Sequence, residues 1–209
     1  MRVLAVSDIV VDRIYNPQIR LLYSDIDLVI GCGDLPQYYL EFIVSTLDIP
    51  VFYVHGNHSL VAEHDNDKPS FRSLGSFDLH GKVVRFNGLT FAGVEGSIRY
   101  KEGAFQYSQF EMWLNVIKII PGFLLNRIRY GRFLNVFVSH ASPWGIHDQP
   151  DYTHQGIKAF RWLIRIFLPD YHFHGHIHVY RPDTIRQTLF GRTHVINVYG
   201  YQVIELSPC

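Results

Sequence analysis

The sequence predicts an α/β fold in which two sheets stack face to face with helices outside. Three observations carry this. From Arg2 to Val54, short apolar runs rich in β-branched residues alternate with helical patterns, giving β-α-β-α-β, the signature of a largely parallel sheet. Asn87-Gly88 separates two strand-like runs, a strong hairpin signal. Three further strand-like runs close the chain. The central hairpin and the closing strands supply the second sheet.

The elements follow in order. Arg2 to Ser7 reads as the first strand, with Asp8 at its end. A helix is expected from about Asn16 to Ser24, with Pro17 in its first turn. Asp27 to Ile30 is a buried strand ended by Gly31 and Gly33, and Asp34 follows. Leu40, Ile43, Val44 and Leu47 fall at helical spacing within Tyr38 to Leu47, and Pro50 separates that helix from a strand over Val51 to Val54. His64 to Ser76 is polar and irregular, a rim loop. The hairpin joins Lys82–Phe86 to Leu89–Val94. Phe110, Trp113, Leu114, Ile117 and Ile120 share one face of a helix from Ser108 to about Leu125, which Pro121-Gly122 is expected to break. Phe133 to Ser139 is a strand ending at His140, Gln155 to Leu168 a helix, and Tyr171 to Phe173 a short strand running into His174-Gly175-His176-Ile177-His178. Thr184–Phe190, His194–Val198 and Gln202–Leu206 are the closing strands.

Composition bounds the function. The 209 residues suit one domain with one sizeable core, and 47% hydrophobic against 18% charged residues is a globular balance. The formal net charge is zero, so the basic excess of a nucleic-acid footprint is missing. Two cysteines, Cys32 and Cys209, indicate no disulfide framework and fit a reducing, cytoplasmic setting. The longest apolar stretch, Trp113 to Leu125, is interrupted by Asn115, Lys118 and Pro121 and falls short of the roughly 20 residues that span a bilayer. The N-terminal apolar run is too short for a signal peptide.

Twelve histidines are many for this length, and several are aimed. Strand ends present Asp8, Asp34, Asn57-His58, His140 and His176-x-His178. Carboxylate, amide and imidazole are the ligands that suit Mn, Zn and Fe, and the absence of thiolates argues against a structural zinc knot. In this order and spacing the motifs Gly33-Asp34, Gly56-Asn57-His58, His140 and Gly175-His176-Ile177-His178 resemble those of the calcineurin-like metallophosphoesterases. The likeness spans nearly the whole chain. It implies a four-layer α-β-β-α sandwich of two mixed sheets and a site for two divalent ions (Mn, Fe, Zn or Mg). It assigns Asp8 and His178 to one ion and Asn57, His140 and His176 to the other, with Asp34 bridging. His58 then addresses the phosphate or its leaving group.

The chain departs from the family at Asp8-Ile9-Val10, where Val10 stands in place of a ligand histidine. The first ion keeps Asp8, Asp34 and His178, and is expected to be weaker. Asp12 is either a substitute ligand or an ordinary turn residue. Ser59, where many members carry an acidic residue, bears on how His58 is held. The loop from Ser139 to Asp148, continued by Asp151 and His154, resembles one that edges the active site in some of these enzymes. His154 lies at the pocket mouth or caps the next helix, while His147 and Asp148 fix the loop by hydrogen bonds. Arg127, Arg129 and Arg132 form either a solvated helix face or a contact for phosphate or a membrane surface.

The implied activity is hydrolysis of a phosphomonoester or phosphodiester, a small phosphoester or nucleotide, by in-line attack of a water that two ions make acidic. The alternative is a weakly active or inactive member that serves as a binding scaffold, with a protein partner.

Overall fold

The structure is a computed structural model that describes residues 1–58 and 75–207. Its strands are β1 (Arg2–Ser7), β2 (Leu28–Gly31), β3 (Val51–Tyr53), β4 (Ser76–Asp78), β5 (Val83–Phe86), β6 (Leu89–Val94), β7 (Ser97–Ile98), β8 (Gln106–Tyr107), β9 (Val136–Ser139), β10 (Tyr171–His174), β11 (Gln187–Phe190), β12 (Thr193–Asn197) and β13 (Gly200–Glu205). Its helices are α1 (Ile19–Leu22), α2 (Gln37–Leu47), α3 (Gln109–Tyr130) and α4 (Lys158–Phe167). One sheet has the order β13-β1-β2-β3-β4 and the other β11-β12-β10-β9-β6-β5; β7 and β8 form a separate parallel pair. In each large sheet the inner strands run parallel, and antiparallel partners close β13 on the first sheet and both edges of the second.

Alternation along the strands builds four layers. Val3 and Ala5 of β1 and Leu28 and Ile30 of β2 face the other sheet, where Phe91, Val136, Val138 and Phe173 meet them. The intervening Leu4, Val6 and Val29 point outward onto Ile19, Leu40 and Ile43 of α1 and α2. On the far side Ala92 and Phe137 pack under α3 and α4 against Val116, Ile119, Phe160 and Leu163. Strands covered on both faces read as unbroken apolar runs, which is why they were legible.

Several boundaries differ from the sequence expectations. The first helix shrinks to Ile19–Leu22, because Asn16 Oδ1 accepts from the Gln18 amide at 2.9 Å and holds that segment in a turn. The third helix runs on through Pro121 instead of breaking there. Pro121 and Ile117 are exposed, so the Ile117 carbonyl that loses its partner is open to water. Gly122 sits where a Cβ would meet Val83 Cγ2 at 2.7 Å, which draws the helix close to β5. The helix opens on a capping box between Ser108 and Glu111 and ends at Gly131 with φ of 74°.

The last strand was expected in the second sheet. It instead lies antiparallel to β1 in the first, with Val3 opposite Ile204. Local pattern does not encode which edge a strand pairs with. Strands β4, β7 and β8, only two or three residues long, were not anticipated. Ser76, placed in the rim loop, opens β4; residues 64–74 of that loop, Ser59 and Cys209 lie outside the described residues. Cys32 is a free, buried thiol facing the core between the sheets.

Pro121→Ala should restore the missing helical hydrogen bond and raise stability by about 2 kcal/mol. Thermal melts of the two proteins should then differ by several degrees, and an unchanged midpoint would show that α3 already accommodates the proline without strain.

Candidate metal centre

Register brings the candidate site residues to one edge of the sandwich. Val6 of β1 pairs with Gly31 of β2, and Gly31 with Tyr53 of β3, so these strands finish level. In the second sheet Val138 pairs with Phe173, and His174 with Asn197. The segments after β1, β2, β3, β9 and β10 therefore meet, at the carboxyl ends of parallel strands where α/β sheets place ligands. They carry Asp8, Asp34, Asn57-His58, His140 and His176-x-His178.

The backbone at this edge is strained. Asp8, Asp34 and His176 adopt φ values of 68°, 54° and 66°, in the left-handed region that disfavours residues with a Cβ. Two glycines let these segments approach. A Cβ on Gly56 would lie 2.1 Å from Asp34 Oδ1, and one on Gly175 would lie 2.6 Å from Asp8 Oδ2. The Asp8 amide donates to the Gly33 carbonyl at 3.1 Å, tying the first two segments together.

His140 stands at the centre, fully buried. Its Nδ1 donates to the Cys32 carbonyl at 2.8 Å, and its Nε2 lies 3.2 Å from Asp34 Oδ2 and 3.0 Å from Asn57 Oδ1. Both ring nitrogens face oxygen atoms, an arrangement that favours the protonated ring. Burial pushes it toward neutrality, but the Asp34 carboxylate, its hydrogen bond, Asp8 and the Cys32 carbonyl outweigh burial and raise its pKa to about 9. Asp34 moves the other way: burial favours its neutral form, but His140 and the His58 amide, which donates to Asp34 Oδ1 at 2.7 Å, hold it well below the usual carboxylate range. His176 is neutral, because burial and then His140 lower it to about 3. Its Nε2 donates to the Thr153 carbonyl at 3.0 Å, which leaves Nδ1 with a lone pair.

This donor set fits a divalent cation. Asp34, His140 and His176 each offer one ligand atom, all within 4.8 Å of one another. His140 Nε2 faces the Asp34 and Asn57 oxygens, so these three groups would hold an ion together. The Cys32 and Thr153 carbonyls fix the opposite ring nitrogens, the usual arrangement behind ligand histidines. Asn57 is oriented by its Nδ2, which donates to Tyr100 Oη at 3.2 Å.

The second half of the expected site is looser. Asp8 has a buried side chain and accepts the His176 amide on both oxygens, at 3.0 and 3.2 Å. Burial raises its pKa, and Asp34 adds to that. His178 Nε2 stands 4.0 Å from Asp8 Oδ1, with 42% of its side chain exposed. Its Nδ1 is 2.8 Å from Tyr180 Oη, and the Tyr199 ring lies against it at 4.7 Å, tilted by 35°. Val10 packs with the apolar cluster under α1 and α2. Asp12 is exposed in the turn after β1 and does not belong to the Asp34 cluster.

The surrounding loop behaves as two kinds of residue. Asp148 Oδ2 accepts from the Gly145 and Gly156 amides at 2.9 and 3.2 Å, and His147 links His174 Nε2 to Thr188 Oγ1, both at 2.9 Å. These fix the loop, as expected. His154 leans on His176 at 5.3 Å and bonds Asp151 at 2.9 Å, while Ile157 caps the next helix, so His154 belongs to the mouth of the site. Sequence reasoning missed Tyr100, whose Oη bridges Asn57 and His58 Nε2 at 3.2 Å each. It lies in a loop with no periodic or motif signal.

The His140 proton makes metal uptake pH-dependent. The ion pair stabilises the metal-free protein fully below about pH 6.5 and is lost as pH rises through about 9. A cation must displace that proton, so its apparent affinity should climb with pH and level off above about 9. Titration calorimetry in two buffers of different ionisation enthalpy should report close to one proton released per ion at neutral pH. Uptake without proton release would mean that His140 is not a ligand.

A model of the calcineurin-like phosphoesterases matches residues 1–180. No match was found among curated proteins. Among solved structures, TT1561 of Thermus thermophilus superposes with a TM-score of 0.65 at 15% identity, over 95% of this chain and 89% of that one. The phosphopantetheinyl hydrolase PptH of Mycobacterium tuberculosis gives 0.54 at 12%, over 94% and 88%. A hypothetical protein of Thermus thermophilus gives 0.53 at 16%, over 95% and 76%. At these identities the structures speak for the fold, and the family match speaks for the site's general chemistry, metal-dependent phosphoester hydrolysis. With two mixed sheets between helical layers and a histidine-carboxylate cluster at their common edge, the chain belongs to the calcineurin-like phosphoesterase family.

Proposed function

We propose that this chain hydrolyses a small organic phosphoester, a phosphomonoester or phosphodiester such as a nucleotide, at the Asp34 edge. One observation carries the reading: the His58 ring is exposed directly beside the buried Asp34–His140–His176 cluster, held there by its own backbone and by Tyr100. Asn57, His140, His176 and Asp34 would hold one ion, and Asp8, Asp34 and His178 a second. Bound there, divalent ions supply positive charge for the phosphoryl oxygens and acidify water.

The chain's own residues do the rest. The Asp34 carboxylate, kept ionised, sits between the two halves of the site. Tyr100 Oη holds both the Asn57 amide and the His58 ring, at 3.2 Å each. His58 then offers a proton to the departing ester oxygen, a role contributing on the order of 10²–10⁴ in rate. A cleft of about 590 Å³ opens from His178 and is lined by Ile177, Tyr180, Ile185, Thr188 and Asn197. Ile177 and Ile185 give it apolar surface for the organic part of an ester, and Gln149, Arg181 and Thr184, which also line it, offer hydrogen bonds to polar groups.

His58→Ala should lose most turnover and keep its metal. Asp34→Asn should lose both. Metal content and hydrolysis of a chromogenic phosphodiester, measured side by side with added Mn, separate these outcomes. A native protein with neither metal nor turnover would favour the scaffold reading, for which the missing ligand at Val10 and the exposed apolar residues between Trp113 and Leu125 speak.

Val10→His tests the inequality of the two positions. It should strengthen the ion at Asp8 and His178 by about 10–100-fold, the size of effect seen even when groups behind the ligands change. Two ions of equal affinity in the native protein would contradict this.

A further inference from the structure

The outer face of α3 has no use in the site or in the core. Its inner face buries Met112, Val116, Ile119 and Phe123 against the second sheet. Its outer face carries Phe110, Leu114, Ile117, Pro121, Leu124 and Ile128, spaced alternately four and three residues apart and all exposed. Phe110, Ile117 and Ile128 are 70%, 51% and 82% exposed. A helix apolar on two faces is built to cover both. Scattered surface apolar residues need no explanation, but a continuous stripe along a helix marks a contact surface.

Charge identifies the occupant. The whole chain is neutral, yet between Met112 and His147 it carries Lys118, Arg127, Arg129 and Arg132 and no acidic residue. Between Tyr152 and Pro169 it carries Lys158, Arg161 and Arg165 and again none. Within α3 and α4 themselves six cations stand against one acid, Glu111, so this helical pair is basic. Where the C-terminal end of α3 meets α4, a hollow of about 410 Å³ is ringed by Arg127, Arg132 and Arg192, with Ile166 and Leu168 beside them. Arg132 and Arg192 both pair with the Asp170 carboxylate, at 2.6 and 3.0 Å.

We infer that α3 docks this protein on an anionic lipid surface, its apolar stripe entering the acyl boundary and the arginine hollow meeting phosphate headgroups. No helix among the described residues is long and apolar enough to cross a membrane, so the helix lies on the surface and does not span it. Pairing with a second copy is disfavoured by the same charges. The stripe is centred near Ile119, so a two-fold helix pair would bring Lys118 against its own copy. Anionic lipid turns those cations into attraction.

The test is co-sedimentation of the full chain with vesicles of phosphatidylcholine alone and of phosphatidylcholine with phosphatidylserine. The protein should follow the phosphatidylserine vesicles and be released as salt rises from about 0.1 M to about 1 M, which shortens the screening length from about 10 to about 3 Å. Ile117→Glu with Ile128→Glu should abolish binding. Lys118→Glu with Arg129→Glu, two exposed changes that leave the apolar stripe intact, should weaken it about tenfold or more. Circular dichroism and hydrolysis of a soluble phosphodiester should be unchanged in both, since neither pair lies near the site. Failure of the native protein to follow anionic vesicles overturns the inference. So does a dimer in analytical ultracentrifugation that Ile117→Glu dissolves, which would make the face an interface between copies.

Discussion

One imidazole joins the two sheets. His140 ends β9 in the second sheet, yet both of its ring nitrogens are held by the first, through the Cys32 carbonyl and the Asp34 carboxylate. A buried charge of this kind is tolerable only when paired and hydrogen-bonded on every side. The requirement reaches outward. Asn57 needs Tyr100 to aim its oxygen at the ring, and Asp34 needs the His58 amide. His176 needs Thr153 to hold its far nitrogen. The strand-end loops take their positions from this one chain of contacts.

Those positions cost conformational energy. Three residues with side chains held at positive φ amount to about 1–3 kcal/mol each, and the Asp8 carboxyl is buried beside Asp34 at a further electrostatic cost. The surrounding sandwich supplies the opposing stability: nearly every inward residue of β1, β2, β9 and β10 is fully buried between the sheets. The rigid layers thus hold a strained edge in place, and a cation at that edge would relieve the repulsion between its carboxylates.

The third helix illustrates a second constraint. It closes the second sheet with one face, and its exposed proline and apolar stripe lie on the other, where no core residue depends on them. The outer face is therefore free to serve a purpose unrelated to folding.

Much of this was readable from residues alone. Apolar runs located β1, β2 and β3, and Gly31 and Gly33 marked the end of β2, because strands covered on both faces are largely apolar. Gly33-Asp34, Gly56-Asn57-His58 and Gly175-His176 pointed to a candidate site through their resemblance to the family's motifs; that Gly56 and Gly175 sit where a Cβ would collide with Asp34 and Asp8 is visible only in the folded chain. Register, edge choice and side-chain partners were not readable. The pairing of β13 with β1, the passage of α3 through Pro121, and Tyr100 as the support of Asn57 and His58 depend on residues far apart in the chain. A local pattern records whether a residue is buried or turned; only the folded chain decides which distant group it meets, since that contact exists once the two sheets have closed on each other.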